Sequence, residues 1–306
     1  MDRSALARGP LTEAKGIAAA MPDMLIEAQR VANTVLAGWH GRRVSGRGET
    51  FWQFRPFMTG EAAASIDWRR SARDEHLFVR EKEWEAAHTL WLWPDLSPSM
   101  EFRSPLAPVT KRRRAIVLAL ALAELLAVAG ERVGLLGMSD SILARNAAER
   151  LALLLPGGGG ASAKAAGPPV TRALRRFSDV VLMGDFLDPI ADVDRTLAAI
   201  LQSGARAHLV QIVDPTEEAF PYSGRTEFID PETGARHVVT RAEQYREEYQ
   251  ARLAALRDHL RTMSRRVGWT FLIHRTDRPA TEPLLALHAR LADRRNSLGL
   301  HAGRAA

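Results

Sequence analysis

The chain has 306 residues, of which 46% are hydrophobic and 25% are charged. This composition is close to that of an average soluble globular protein and excludes collagen-like, coiled-coil and wholly disordered chains. The sequence contains no cysteine, which excludes disulfides, thiolate metal sites and cysteine nucleophiles. The formal net charge of +6 permits an anionic partner such as nucleic acid. Most of the cations are arginines, however, and arginine pairs equally well with protein carboxylates.

Two segments bear on cellular location. The first residues lack the continuous apolar stretch of a signal peptide, so a cytoplasmic protein is expected. Residues 115–130 are apolar, but Glu124 interrupts them and four basic residues at 111–114 precede them. A membrane span needs about 20 apolar residues, so this shorter run predicts a buried core helix and no transmembrane segment.

In chain order, a helix is predicted at 22–38 and an aromatic-rich segment follows at 51–57. From residue 77 onward, short apolar strands alternate with helices. Strands are predicted at 77–80, 89–94, 132–138, 142–143, 179–184, 207–213 and 269–273. Further helices are predicted at 110–129, 146–155, 189–203, 241–266 and 282–295. This alternation predicts an α/β fold in which helices cover both faces of a mainly parallel sheet.

Several catalytic and nucleotide-binding motifs are absent or incomplete. Four glycines at 157–160 precede Lys164, but no Gly-Lys-Ser/Thr sequence opens a helix there, so a flexible linker is predicted instead of a phosphate loop. Residues 137–141 lack the second glycine of a nucleophile elbow. The nine histidines are scattered. No catalytic residue is predicted, and the protein is expected not to be an enzyme.

One group of side chains does suggest chemistry. Asp95, Ser97 and Ser99 follow the strand at 89–94, and Asp185 follows the strand at 179–184, with Asp188 close behind. In an open parallel sheet, ligands bind beyond the carboxyl ends of the strands. Carboxylate and hydroxyl oxygens suit Mg²⁺, which usually keeps several waters. The alternative is that these residues perform ordinary turn and helix-capping roles.

Longer motifs resemble a known family. The Asp-x-Ser-x-Ser loop at 95–99, the apolar helix after it and the strands ending near 138 and 188 resemble a von Willebrand factor A domain. The upstream segment is similar to the signature of the bacterial family called domain of unknown function 58. The motifs that carry this second resemblance are Gly48-Glu49-Thr50-Phe51, Arg55-Pro56-Phe57, Thr59-Gly60-Glu61, Ile66-Asp67-Trp68-Arg69, Ser71-Ala72-Arg73 and Leu77-Phe78-Val79-Arg80-Glu81. The usual Pro-Gly-Asp of the family stands here as Thr59-Gly60-Glu61.

The resemblance implies a von Willebrand factor A-like (Rossmann-like) sheet and a metal-ion-dependent adhesion site. Its Mg²⁺ ligands correspond to Asp95, Ser97, Ser99 and Asp185. The family site also takes a threonine from a loop that corresponds to 156–171. Ser162 and Thr171 are the candidates in this chain, and neither stands in a recognisable motif. An incomplete, degenerate site is therefore one of the alternatives.

The resemblance also implies partners. Its members are associated with MoxR-type AAA+ ATPases, and membrane-associated von Willebrand factor A proteins are a second class of partner. Aromatic and arginine residues are enriched at binding hot spots. On this basis the upstream segment is predicted to bind a partner through Arg55, Asp67, Trp68, Arg69, Arg73 and Arg80. The alternative is a β-rich arm packed on the sheet edge with its charges paired at the surface.

These observations predict three regions and one preferred function. The regions are an N-terminal segment with one helix (1–39), the signature arm (40–85) and the von Willebrand factor A-like domain (86–300). The preferred function is a non-enzymatic protein-interaction module. Two alternatives are a nucleic-acid-binding protein that uses Arg42, Arg43, Arg47 and the 111–114 cluster, and a metal-dependent hydrolase that uses Asp95 and Asp185.

Overall fold

The computed structural model describes residues 8–39, 51–58, 66–74, 76–82, 89–155, 174, 176 and 178–302. The chain divides into two compact units. The larger unit comprises Met1–Trp39 and Thr89–Ala306, and the smaller unit is His40–His88. The N-terminal helix therefore belongs to the same unit as the sheet.

The strands form one five-stranded sheet and two hairpin-like pairs. In the described residues they are β1 (Phe51–Pro56), β2 (Phe78–Lys82), β3 (Thr89–Pro94), β4 (Arg132–Leu135), β5 (Asp179–Gly184), β6 (Arg206–Val213), β7 (Thr226–Ile229), β8 (Arg236–Val239) and β9 (Thr270–Arg275). The five-stranded sheet has the order β4-β3-β5-β6-β9, and all of its pairings are parallel. The predicted α/β fold with a mainly parallel sheet is confirmed.

Helices connect these strands and cover the sheet. They are α1 (Arg8–Trp39), α2 (Trp68–Ser71), α3 (Lys111–Ala129), α4 (Ala147–Ala152), α5 (Ile190–Gln202), α6 (Pro215–Ala219), α7 (Arg246–Arg266) and α8 (Thr281–Ala302), with 3₁₀ helices at Pro98–Glu101 and Ala242–Tyr245. No helix in these described parts of the chain is long and apolar enough to cross a membrane.

The two faces of the sheet carry separate apolar clusters. Successive side chains of a strand point to opposite faces, so in β3 Leu90 and Leu92 join the cluster formed with α1, α3, α4 and α8. Trp91 and Trp93 join the cluster on the other face, which includes residues of α5 and α7. Because both faces are covered, the central strands are apolar without alternation.

Helix α3 lies in the centre of the larger unit, as predicted. The hydroxyl of Thr110 accepts a hydrogen bond from the Arg113 backbone N–H at its start, and Gly130, with φ of +76°, ends it. Every residue from Ala115 to Ala123 is at most 1% exposed. The helix contacts β3, β5 and β6 of the sheet and also α1, α4 and α8. This coverage explains why it is apolar on all sides.

Several element boundaries differ from the prediction. Strand β4 ends at Leu135, because Gly137 has φ of +78° and the Ser139 N–H donates to the Leu135 carbonyl to close a turn. The predicted strand at 142–143 is a single antiparallel bridge between Val133 and Ile142. The predicted helix at 241–266 begins with the 3₁₀ turn and becomes α-helical only at Arg246.

The sequence analysis missed the β7–β8 hairpin. The two strands pair antiparallel, with Thr226 opposite Val239. At the turn, the Asp230 carboxylate accepts hydrogen bonds from the Glu232 N–H and the Thr233 hydroxyl, and Gly234 has φ of +72°. An Asp-Pro-Glu-Thr-Gly turn between two short strands of β-branched and aromatic residues is a recognisable hairpin signal.

The smaller unit contains the signature arm. Its strands β1 and β2 pair antiparallel, and α2 lies between them in the chain. The Asp67 carboxylate caps α2 by accepting from the Arg70 N–H. The Arg70 guanidinium carbon lies 4.8 Å from the Phe78 ring centroid, and the Phe78 N–H donates to the Ser71 hydroxyl. The arm is thus held together by the polar residues of its own motif.

Candidate functional site

The carboxyl edge of the sheet brings the two predicted metal-binding strands together. Strands β3 and β5 are neighbours, with Pro94 opposite Met183, and the Asp95 N–H donates to the Met183 carbonyl. Asp95 and Asp185 therefore leave the sheet at the same edge. A Cβ added at Gly184 would lie 3.0 Å from both Cβ and Oδ2 of Asp95, so glycine at this position makes room for the Asp95 side chain.

The loop after β3 gathers three oxygen-bearing side chains. Asp95 Oδ1 accepts a hydrogen bond of 2.9 Å from the Ser97 N–H. The hydroxyl oxygens of Ser97 and Ser99 lie 3.0 Å apart. The Ser99 N–H donates to Oε1 of Glu232 at 3.0 Å, so the turn of the β7–β8 hairpin holds the end of the loop. The loop is ordered by hydrogen bonds that leave the serine hydroxyls at the surface of the edge.

Asp185 has a different environment because a buried lysine neutralises it. Lys111 is 1% exposed, and its Nζ donates to Asp185 Oδ2 at 2.8 Å and to Glu217 Oε1 at 2.5 Å. The other Asp185 oxygen accepts from the Leu187 N–H. A cation at the first turn of α3 is disfavoured by the helix dipole, and the two carboxylates offset that cost. Burial disfavours the charged ammonium, but both carboxylates outweigh it and raise the pKa of Lys111.

Asp95 lacks such a counterion. It is 7% exposed, and among the described residues no lysine, arginine or histidine forms an ion pair with it. Burial raises the pKa of the Asp95 carboxyl from 3.8 to about 6, and the negative charge of Asp185 adds to the rise. The pKa of nearby Asp188 is also raised, by burial and by the charges of Asp185 and Glu232. The edge therefore carries uncompensated negative charge.

The donor set at this edge fits a small divalent cation in part. Asp95, Ser97 and Ser99 offer the hard oxygen ligands that Mg²⁺ takes together with water. Asp185 uses each of its oxygens in a hydrogen bond to this chain, so to bind a cation directly it would have to share or give up one of these bonds. Within the described parts of the chain, no three His, Cys, Asp or Glu side chains form a metal-binding group. The threonine candidates, Ser162 and Thr171, lie outside the described residues.

The basic cluster at 111–114 makes contacts within the chain. Arg112 pairs with Glu101 at 2.5 Å and Arg113 pairs with Glu27 at 2.8 Å. Arg114 is 6% exposed and donates to the Thr276 carbonyl. With Lys111, all four cations contact oxygen atoms of this chain. Arg42, Arg43 and Arg47, the other residues named for nucleic-acid binding, lie outside the described residues.

The predicted partner-binding residues of the arm fall into distinct groups. The Asp67 carboxylate is used as the cap of α2. Trp68 is 62% exposed, and Arg69 and Arg73 are also exposed. The backbone register places Arg55 opposite Val79 and Arg80 opposite Phe54, while their side chains lie outside the described part of the chain.

Sequence reasoning missed three residues that shape this edge. Lys111, Glu217 and Glu232 come from the start of α3, from α6 and from the hairpin turn. Lys111 carried a weak signal, because it is a rare lysine in an arginine-rich chain and stands at the start of an apolar helix. Glu217 closes a capping box with Asp214 directly after β6, and that pattern is visible in the sequence.

Comparison with known proteins identifies the family of this chain. The family described as "Protein of unknown function DUF58" matches residues 53–259, which cover more than half of the chain. The chain belongs to this family. The match spans both the signature arm and most of the sheet, so the family assignment made from the motifs around Ile66–Arg73 is confirmed.

Individual proteins with low sequence identity to this DUF58 chain include mycobacterial relatives and one solved structure. Uncharacterized proteins of Mycobacterium bovis and Mycobacterium tuberculosis are each 27% identical to it over 286 residues, which cover 89% of this chain and 88% of theirs. The crystal structure of a conserved hypothetical protein, BatB, from Bacteroides thetaiotaomicron matches with a TM-score of 0.37 and 12% identity, covering 67% of this chain and 99% of that one.

Proposed function

We propose that this DUF58 protein is a non-enzymatic interaction module that binds a MoxR-type AAA+ ATPase through the Asp95–Ser99 loop. The observation that carries the proposal is the different environment of the two aspartates at the carboxyl edge of the sheet. Asp185 is paired with Lys111, whereas Asp95 is buried beside two hydroxyls and forms no ion pair among the described residues. A buried carboxylate that lacks a partner favours binding of a cation from outside.

Asp95, Ser97 and Ser99 would hold Mg²⁺ in this proposal. The chemistry that the ion supplies is a coordination position open to a carboxylate of the ATPase. The Ser97 N–H orients Asp95 by donating to Oδ1, and Glu232 fixes the Ser99 backbone. Lys111 weakens the repulsion between Asp185 and the bound carboxylate, because its ammonium lies 2.8 Å from Asp185 Oδ2.

The same contacts support a binding role over hydrolysis. A metal-dependent hydrolase built on Asp95 and Asp185 would need one carboxylate to hold the metal and the other free to act as a general base. Both oxygens of Asp185 accept hydrogen bonds from this chain. The four basic residues at 111–114 likewise contact this chain's own oxygens, which weighs against nucleic acid as the partner.

The signature arm supplies a second contact in this proposal. Trp68 is 62% exposed on the short helix α2, with Arg69 exposed beside it. Tryptophan and arginine dominate binding hot spots because they bury large areas and make several contacts at once. Asp67 contributes indirectly, since it caps the helix that presents Trp68.

Calorimetry with the MoxR-type ATPase tests the Asp95 site. We expect Asp95→Asn to weaken binding about tenfold or more, because a lost bridging ion is comparable to a hot-spot loss. EDTA should weaken wild-type binding equally and leave the variant unchanged. Asp188→Asn, on the same edge but outside the ligand set, is the matched control. Equal affinities of wild type and Asp95→Asn, together with no effect of EDTA, would overturn the proposal.

Trp68→Ala tests the arm separately. We expect this change to weaken ATPase binding while leaving Mg²⁺ binding to the isolated protein unchanged. Because Trp68 is largely exposed, its removal should not lower the thermal midpoint. Wild-type affinity for the ATPase in this variant would remove the arm from the interface.

A further inference from the structure

A second feature of the larger unit is an aromatic cavity that no motif predicted. It has a volume of about 490 Å³ and is bordered by α6, α7 and the β7–β8 hairpin. This volume lies in the range of small-ligand and peptide pockets. Its walls consist mainly of rings, contributed by Phe102, Phe220, Tyr222, Phe228, Tyr245 and Tyr249.

The rings form a connected cluster around Phe220. The Phe220 centroid lies 5.0 Å from that of Tyr249 and 5.9 Å from that of Phe228, which is stacked against it. Tyr222 meets Phe220 edge-on at 5.2 Å. Phe220 has φ of +44°, a conformation that bulky residues rarely adopt. The backbone after α6 therefore turns sharply at the residue whose ring is the centre of the cluster.

The cavity also has acidic side chains in its lining, and both pair with cations of this chain, Glu217 with Lys111 and Glu248 with Arg252. Glu217 and Glu248 line it, and the pKa of Tyr249 is raised by burial and by the negative charge of Glu217. One wall already contacts a cation, because Lys111 Nζ lies 5.8 Å from the Phe102 ring centroid. Arg252 is the one basic residue of the lining, and Glu248 pairs with it at 2.5 Å.

We propose that this cavity binds an arginine side chain, together with an adjacent apolar residue, from a peptide segment of a partner protein. Aromatic faces attract cations, and the planar guanidinium stacks on rings better than an ammonium does. The volume exceeds what one side chain fills, so an apolar neighbour can pack on Phe102 and Phe228. The inference goes beyond the proposed function, since it needs neither the Mg²⁺ site nor the ATPase.

The probe is a pair of dye-labelled peptides, acetyl-Ala-Leu-Arg-Leu-Ala-amide and the same peptide with citrulline for arginine. Citrulline keeps the shape of arginine and removes its charge. Fluorescence anisotropy with the full chain should show about tenfold tighter binding of the arginine peptide, a ratio typical of a partly desolvated cation held by rings. Equal affinities would show that the cavity selects apolar ligands only and would overturn the proposal.

Two variants locate the binding. Tyr245→Ala removes a ring that is 49% exposed at the cavity, and we expect severalfold weaker binding of the arginine peptide. Gln244→Ala, on the same 3₁₀ turn, is the control. Glu248→Gln should reduce the preference for arginine over citrulline, whereas Glu247→Gln should not. Unchanged binding in both Tyr245→Ala and Glu248→Gln would place the peptide elsewhere and overturn the proposal.

A further control separates this inference from the proposed function. Asp95→Asn and EDTA should leave peptide binding unchanged, because the cavity does not include the Asp95 loop. If neither peptide binds at about 1 mM, the cavity has no affinity for this class of ligand and the inference fails, whatever the ATPase experiment shows.

Discussion

Asp95 and Asp185 occupy equivalent positions, one residue beyond neighbouring parallel strands, yet the fold treats them in opposite ways. Asp185 is 3% exposed and bonded to Lys111 at 2.8 Å. Asp95 is 7% exposed and has hydroxyl groups and one backbone N–H around it. The carboxylate of Asp185 forms an internal ion pair that connects the start of α3 to the end of β5. The carboxylate of Asp95 forms no ion pair among the described residues, and for this reason we propose that it binds a cation from outside.

The different environments of Asp95 and Asp185 also bear on the metal site that the family resemblance implied. The resemblance assigned Asp95 and Asp185 alike to a metal site, and the structure separates them. Lys111 places a fixed positive charge where a ligand carboxylate was expected to remain free. The site that we propose is consequently limited to the Asp95–Ser99 loop.

Removing the lysine that pairs with Asp185 should have the largest effect on stability. Lys111→Met leaves Asp185 and Glu217 buried without their cation, and removing one partner of a buried ion pair costs about 3–5 kcal/mol. Chemical denaturation at neutral pH measures this loss in the free energy of unfolding. Arg195→Met is the control, because its pair with Asp192 is largely exposed and is worth at most about 1 kcal/mol. Similar losses in the two variants would mean that Lys111 does not neutralise the edge.

Removing the charge of Asp95 should have the opposite effect on the free energy of unfolding and stabilise the protein. The pKa of Asp95 is about 6 in the folded chain and 3.8 for the carboxyl in the unfolded chain, so the folded state holds the proton more tightly. Stability is therefore lost as the pH rises from about 4 to above 6, by up to about 3 kcal/mol. Asp95→Asn removes this cost. We expect it to be more stable than wild type at pH 8 and equally stable at pH 4.

Urea unfolding of wild type and Asp95→Asn across that pH range checks the sign. Mg²⁺ should narrow the gap at pH 8 by stabilising only the wild type, because a ligand that binds the native state raises stability by mass action. A variant that is less stable than wild type at pH 8 without Mg²⁺ would show that Asp95 is a structural residue, as Asp185 is.

Gly184→Ala should have the smallest effect on stability, and it tests how closely Gly184 and the Asp95 side chain approach each other. The added methyl group would lie 3.0 Å from Asp95 Cβ and Oδ2, so the carboxylate must shift. Overpacking of this kind costs about 1 kcal/mol, and the displaced carboxylate should bind Mg²⁺ severalfold more weakly. In an Asp95→Ala background the stability cost should shrink, and an unchanged cost would place the strain elsewhere.

Local sequence patterns predicted the sheet strands, helix α3 and the Asp95–Ser99 loop, because each depends on neighbours within a few residues. The partners of Lys111 could not be predicted in this way, since Asp185 and Glu217 lie 74 and 106 positions away in the chain. Only the order of the strands brings them together. For the same reason the sequence could not show that the four members of the basic run at 111–114 contact oxygen atoms of other elements. The β7–β8 hairpin, by contrast, had a local turn signal.

The central claim is that Asp95, Ser97 and Ser99 form the cation site of this edge while Asp185 is closed by Lys111. Titration calorimetry of the isolated protein with Mg²⁺ tests it most directly, using wild type, Ser97→Ala and Ser99→Ala. We expect one ion to bind to the wild type, and at least about tenfold weaker binding after either serine loses its hydroxyl. Wild-type affinity in both serine variants, or no Mg²⁺ binding to the wild type, would contradict the account.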